Sequence, residues 1–135
     1  MFASLSNPRT AYNRVAVDAK VIEADPHQLI QMLYEGAQTA ITSAIVHMQR
    51  GEVQAKGQAI SKAIDIISSG LHASLDHEQG GELAERLGAL YDYICTRLVL
   101  ANAQNSVPAL EETHHLLGEL KDAWESIRSQ VRSGT

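Results

Sequence analysis

The sequence predicts an all-α fold, an antiparallel up-down four-helix bundle preceded by a short N-terminal arm or cap helix. Apolar residues recur at helical spacing in four segments of similar length, which are bounded by helix-capping residues. Only short connections separate these segments, as in up-down bundles. Strand-like alternation occurs only briefly, around Val15 and Val17. Because 135 residues suffice for one core and are too few for two, we expect a single domain over residues 1–135.

The arm, residues 1–24, precedes the first strong helix cap. Asn7-Pro8 has the composition of a cap for a small helix that carries Tyr12 and Val15. Such a segment is too short to fold alone, so it either frays or docks on the bundle.

The first two helices of the bundle are predicted near residues 26–50 and 53–75. Asp25 is placed as N-cap of the first, Pro26 suits its first position, and Gly51 closes it. Its core stripe comprises Leu29, Leu33, Ala37, Ala40, Ala44 and Met48. The stripe of the second helix comprises Ile60, Ile64, Ile67, Leu71 and Leu75.

Helices three and four are predicted near residues 81–103 and 107–131. Gly80 and Gly81 form a turn that leads into helix three, and Ser106 is the N-cap of helix four. A heptad seam follows on helix four, formed by Leu110, Leu117, Trp124 and Val131, with Thr113, Leu120 and Ile127 between them. Trp124 lies at the centre of this seam, so we expect it to be buried.

Composition excludes several functional classes. A net charge of -5 argues against a nucleic-acid partner, because phosphate binding needs a basic surface. No apolar run reaches membrane-spanning length, and the N-terminus lacks the pattern of a signal peptide. The single cysteine, Cys95, is compatible with a reducing compartment. We therefore expect a cytoplasmic protein with no membrane insertion.

The sequence motifs give little support for a metal site or for a catalytic site. Glu112-Thr-His-His115 has the Glu-x-x-His spacing of dimetal bundles, but a second such motif is missing and Glu35 is predicted to face outward. Cys95 lies between Ile94 and Leu98 and is predicted to be a small packing residue. We expect no cofactor, no metal and no enzymatic activity.

The most informative feature is an excess of apolar surface. In Leu90–Asn102 the residues Leu90, Ile94, Leu98 and Ala101 form a core stripe, yet Tyr91, Tyr93, Cys95, Val99 and Leu100 extend well beyond it. Helix one adds Met32, Tyr34 and Ile45, helix two Ile66, and helix four Leu116. These residues belong either to a generous core or to an apolar groove that accepts an amphipathic helix or extended segment.

Five blocks of the sequence resemble one known family in order and spacing: "AYNRV", "DPHQLIQMLYEGA", "KAIDIISSGLHASLD", "GGELAERLGALYDYICTRLVLAN" and "EETHHLLGELKDAWESI". The resemblance is to the FliS family of bacterial flagellar secretion chaperones, and it extends from Tyr12 to Ile127. Its most specific parts are Leu90–Asn102, the Met32-Leu33-Tyr34-x-Gly36 block and the Ala123-Trp124 pair.

This resemblance implies a cytoplasmic, non-enzymatic export chaperone. It would bind the disordered C-terminal segment of flagellin, prevent premature polymerisation, and keep the subunit competent for the flagellar type III export apparatus. The candidate partner-binding residues are Tyr12, Val15, Met32, Tyr34, Ile66, Tyr91, Tyr93, Arg97 and Leu100. The alternative is a structural bundle that self-associates through the same apolar surface.

Two of these assignments leave alternatives open. Tyr93 and Arg97 are four residues apart, so they either contact the client or form a surface cluster with a neighbouring acid. The arm, with Tyr12, either covers part of the groove and yields to flagellin or is a permanent cap.

Overall fold

The computed structural model describes residues 25–134, with side chains to residue 127. All regular structure in this range is helical, which confirms the predicted fold class. Helix α1 spans Pro26–Gln49 and α2 spans Val53–Asp65, and α2 continues directly into a π-helical segment, Ile66–His72. Helix α3 spans His77–Gln104 and α4 spans Val107–Gly134. The predicted arm, with Tyr12 and Val15, lies outside the described residues.

Helix α1 begins and ends where its capping residues predict. The Asp25 carboxylate accepts a hydrogen bond from the Gln28 backbone N–H, and the Gln28 side chain accepts one from the Asp25 N–H, which forms a capping box. Pro26 occupies the first turn, where a missing N–H costs nothing. Beyond Arg50, Gly51 has a φ of +71°, a left-handed conformation that glycine adopts without steric penalty.

The second helix differs from its prediction because its last two turns are π-helical. Ile66, Ile67, Gly70 and Leu71 of this segment are all buried in the core. Ile66, predicted to lie off the seam, is 2% exposed.

Helix α3 begins earlier than predicted, because Asp76 accepts hydrogen bonds from the backbone N–H groups of Glu78 and Gln79. The predicted turn is present within it: Gly81 has φ +50° and ψ -123°, which interrupts the helical geometry. At its other end, Asn105 adopts a left-handed conformation with a φ of +51°. Lys56 of α2 is buried there and donates to the Asn102 carbonyl (3.1 Å) and to the Asn105 side-chain oxygen (2.7 Å).

Helix α1 packs between α2 and α4, and α3 completes the bundle by contacting α2 and α4. The helix directions alternate: His27 at the start of α1 meets Trp124 late in α4, and Lys56 early in α2 meets the end of α3. The core is one cluster, whose largest fully buried side chains include Leu29, Leu33, Ile41, Ile60, Ile67, Ile94, Leu98, Leu110 and Leu117. None of the helices between residues 25 and 134 combines the length and apolarity that a bilayer crossing requires.

Several residues at the margins of the predicted stripes are less buried than expected. Met48, Leu90 and Leu120 are half-buried, and Ile127 is exposed. Trp124, expected to be buried, is also only half-buried. Among the seam residues of α4 up to residue 127, Leu110, Thr113 and Leu117 are fully buried. The side chain of Val131 lies outside the described residues. Trp124 lines the cleft described next.

Candidate binding surface

An apolar cleft of about 390 Å³ lies at the end of the bundle where α1 and α3 begin. We call it the tyrosine cleft. It is lined by side chains of α1, the π-helical segment, α3 and α4, chiefly Ile30, Tyr34, Leu71, Leu75, Leu83, Leu87, Tyr91, His27 and Trp124. Leu83 is 63% exposed although it is aliphatic. This combination of an apolar lining and open access is typical of a surface that takes up apolar side chains of a partner.

Tyr34 of α1 and Tyr91 of α3 form a hydrogen-bonded pair in the lining of this cleft. Their hydroxyl oxygens are 2.6 Å apart, and each residue is only 3% exposed. Burial raises the pKa of Tyr34 above its ordinary value, and burial followed by the proximity of Tyr34 raises that of Tyr91. Both phenols therefore remain protonated at physiological pH.

His27 and Trp124 stack along one wall of the cleft, with ring centroids 4.5 Å apart and planes inclined by 11°. Two hydrogen bonds reinforce the stack: Nε1 of Trp124 donates to the His27 carbonyl (2.9 Å), and Nε2 of His27 donates to the Trp124 carbonyl (2.8 Å). Nδ1 of His27 is buried and forms no hydrogen bond with the described residues. This contact fixes the first turn of α1 against α4.

A second, more polar depression of about 520 Å³ runs between α1 and α2. We call it the α1–α2 groove. Met32 and Ile66 lie at its apolar end, and small side chains continue its lining, among them Gly36, Ala40, Ala55 and Ala59. His47 and Lys62 supply polar groups to the same lining. The groove can therefore accommodate a helix or an extended chain at close approach.

A third feature is a polar cluster at the edge between α3 and α4. The Tyr93 hydroxyl and Nε of Arg97 each donate a hydrogen bond of 2.8 Å to a different oxygen of Glu112. The bond from Tyr93, followed by that from Arg97, lowers the pKa of Glu112. Tyr93 and Arg97 thus pair with a neighbouring acid, which is one of the two arrangements that their spacing allowed.

Comparison with known proteins identifies the family. The model of the family described as "Flagellar protein FliS" matches residues 8–131. The chain is 49% identical over 117 residues to the flagellar secretion chaperone FliS of Salmonella typhimurium, covering 87% of each chain. It is 44% identical over 116 residues to FliSB of Pseudomonas aeruginosa and 33% identical over 128 residues to FliS of Bacillus subtilis, covering 86% and 94% of this chain and 91% of each relative. The chain belongs to the FliS family.

As a member of the FliS family, the protein is a chaperone of flagellar secretion and not an enzyme. The cysteine that was considered as a nucleophile is a packing residue. Cys95 is half-buried against the core, and burial, with a smaller contribution from Asp92, raises the pKa of its thiol to about 11. Among residues 25–127, no group of three or more His, Cys, Asp or Glu side chains is arranged to hold a metal ion.

The candidate partner-binding residues of this FliS protein fall in four places. Tyr34 and Tyr91 line the tyrosine cleft, and Met32 and Ile66 line the α1–α2 groove. Tyr93 and Arg97 form the cluster with Glu112, whereas Leu100 lines none of these concavities and is 38% exposed. Tyr12 and Val15 lie outside the described residues.

Burial decides between the two alternatives that the sequence left open for three of these residues. Tyr34, Ile66 and Tyr91 all belong to the core cluster. For Tyr34 the reason is that α1 contacts two neighbouring helices, and Tyr91 of α3 packs against it. Sequence reasoning missed the walls of the cleft, Leu83, Leu87 and the His27–Trp124 stack, since these contacts join residues that are distant in the chain. The signal for these walls that was available in the sequence was Leu83, a leucine on the exposed side of an amphipathic helix.

Proposed function

We propose that this FliS protein is a cytoplasmic export chaperone that binds the disordered C-terminal segment of flagellin in its apolar surface depressions. Binding prevents premature polymerisation and keeps flagellin competent for the flagellar type III export apparatus, its second partner. The observation that carries this proposal is the tyrosine cleft, an open apolar cleft on a protein whose relatives are named flagellar secretion chaperones.

The chemistry of the cleft suits a client that is unfolded before it binds. A disordered segment exposes aliphatic side chains, and their burial against Leu83, Leu87 and Leu71 provides the driving force for binding. Ordering the segment costs free energy, which is offset when it contacts a long surface. The α1–α2 groove offers a second surface for such a segment, with Met32 and Ile66 in its lining.

The proposal is tested by placing a charge in the cleft without disturbing the core. Leu83→Glu replaces an exposed side chain that lines the cleft, so the helix should remain folded. A bound client would bury the new carboxylate in apolar surroundings, and we expect the affinity for a flagellin C-terminal peptide to fall by about tenfold or more. Isothermal titration calorimetry measures this change. The emission of Trp124, the only tryptophan in the chain, provides a second signal because its ring lines the cleft.

Val99→Glu is the matched control. Val99 is 56% exposed on the same helix but lies outside both depressions, so this variant should bind like the unmodified protein. Equal affinity of Leu83→Glu and the unmodified protein would exclude the cleft as the client site. Absence of peptide binding by the unmodified protein, combined with concentration-dependent self-association in sedimentation experiments, would favour the structural self-associating bundle instead.

A further inference from the structure

The Tyr34–Tyr91 pair carries more hydrogen-bond donors than its surroundings use. Two neutral phenols have two O–H groups, and one O–H is consumed when one hydroxyl donates to the other across 2.6 Å. No other described residue forms a hydrogen bond with either hydroxyl. His72 lies beside Tyr91, with ring centroids 6.2 Å apart, but its Nε2 is directed to the Asp92 carboxylate at 3.4 Å. One O–H of the pair therefore has no acceptor among the described residues.

The pair belongs to the lining of the tyrosine cleft, so its spare O–H is available to a molecule that binds there. Burial raises the pKa of both phenols, so both hydroxyls keep their protons.

We propose that the Tyr34–Tyr91 hydroxyl pair contributes to client binding by donating one hydrogen bond to an unpaired backbone carbonyl oxygen of the bound flagellin segment. This inference rests on the proposed function, since both tyrosines line the same cleft. It adds a polar requirement to a surface that otherwise selects only apolar side chains.

The chemistry of the cleft favours a carbonyl as the acceptor. The donor is a neutral hydroxyl and the surrounding lining is mainly aliphatic and aromatic, so an incoming carboxylate would lose its hydration without meeting a positive charge. A backbone carbonyl carries no net charge and is available wherever a segment is extended or a helix ends, because the last four carbonyls of a helix lack intrahelical partners. The pair therefore favours a client that breaks its helix, or stays extended, within the cleft.

Phenylalanine substitutions separate this role from a structural one. In Tyr34→Phe or Tyr91→Phe, the remaining hydroxyl loses its partner, so the melting temperature falls, but a donor remains and affinity for the flagellin C-terminal peptide stays within about twofold. In the double variant no hydroxyl remains unpaired, so its melting temperature is at or above that of either single variant. Its affinity for the peptide falls about three- to tenfold, which corresponds to one neutral hydrogen bond.

The double variant is thus at least as stable as the single variants but binds the peptide more weakly than they do. A pair with a purely structural role would not separate stability from affinity in this way. Ser69→Ala is the control, because it removes a hydroxyl that bonds Asp65 outside both depressions and should leave peptide affinity unchanged. Replacing single peptide amides by esters, whose carbonyls are weaker acceptors, should lower affinity at one position in the unmodified protein but not in the double variant.

Unchanged affinity in the double variant, while Leu83→Glu still lowers affinity by about tenfold or more, would overturn the hydroxyl role and leave the proposed function standing. If the unmodified protein fails to bind the peptide at all, the proposed function fails, and with it the present inference.

Discussion

At the scale of single residues, Glu112 illustrates how an exposed carboxylate links two helices. It accepts hydrogen bonds from Tyr93 and Arg97 of α3 although it belongs to α4. Its folded-state pKa is lowered, so any stability that it contributes is present above the ordinary carboxyl range and is lost as the pH falls through the folded pKa. The contribution is small because all three groups remain accessible to solvent.

We predict that Tyr93→Phe raises the pKa of Glu112 toward the ordinary glutamate value, since the hydrogen bond from Tyr93 is the largest cause of the lowering. Carbon-detected NMR titration of the Glu112 carboxyl group in the unmodified and variant proteins measures both values. An identical titration in the two proteins would show that Tyr93 does not bind the carboxylate in solution.

At the scale of elements, the π-helical segment Ile66–His72 connects the two depressions. Ile66 lines the α1–α2 groove and Leu71 lines the tyrosine cleft, and both are buried. The segment approaches α1 closely at Gly70, where an added Cβ would lie 2.9 Å from one methyl carbon of Leu33 and 3.3 Å from the other. Leu33 is fully buried and cannot move aside without displacing its neighbours.

We predict that Gly70→Ala lowers the free energy of unfolding by about 1–2 kcal/mol, since overpacking outweighs the gain in helix propensity. Gly57→Ala is the matched control in α2, because an added Cβ there meets nothing within 4 Å. That variant should be more stable than the unmodified protein by roughly 0.5–1 kcal/mol. Urea unfolding followed by circular dichroism compares them, and equal stabilisation by both substitutions would contradict the close approach at Gly70.

At the scale of the whole molecule, two polar contacts fix the opposite ends of the bundle. Lys56 holds the end of α3 near Asn105, and the reciprocal hydrogen bonds of His27 and Trp124 hold the start of α1 against α4. Both contacts join residues far apart in sequence, so they contribute to the tertiary arrangement and not to the helices themselves.

We predict that Trp124→Ala lowers the free energy of unfolding by about 2 kcal/mol, below the roughly 3–5 kcal/mol of a fully buried aromatic residue, because Trp124 is half-buried. Trp124→Phe should cost less, since it keeps part of the ring stack and loses the bond to the His27 carbonyl. Chemical unfolding monitored by circular dichroism tests the order. An unchanged stability in both variants would show that the stack does not join α1 to α4 in solution.

The sequence alone determined the helices, because their signals are local. Asp25-Pro26, Gly51 and Ser106 act on backbone groups within one turn, so the positions of these boundaries were predictable. The repeat of Leu29, Leu33, Ala37, Ala40 and Ala44 also identified a core face that the structure buries. The resemblance to the FliS family could also be recognised from the sequence, since it depends on the order and spacing of short blocks of residues.

Only the tertiary structure decided which surplus apolar residues are core and which line a depression. Periodicity gives the direction of a side chain around its own helix, but burial depends on how many helices surround that direction. Tyr34 and Tyr91 are buried where α1 and α3 bring their hydroxyls together, and Ile66 is buried although periodicity placed it off the seam of its helix. The tyrosine cleft has the same origin: its walls come from four separate parts of the chain, and no local pattern encodes the distances between them.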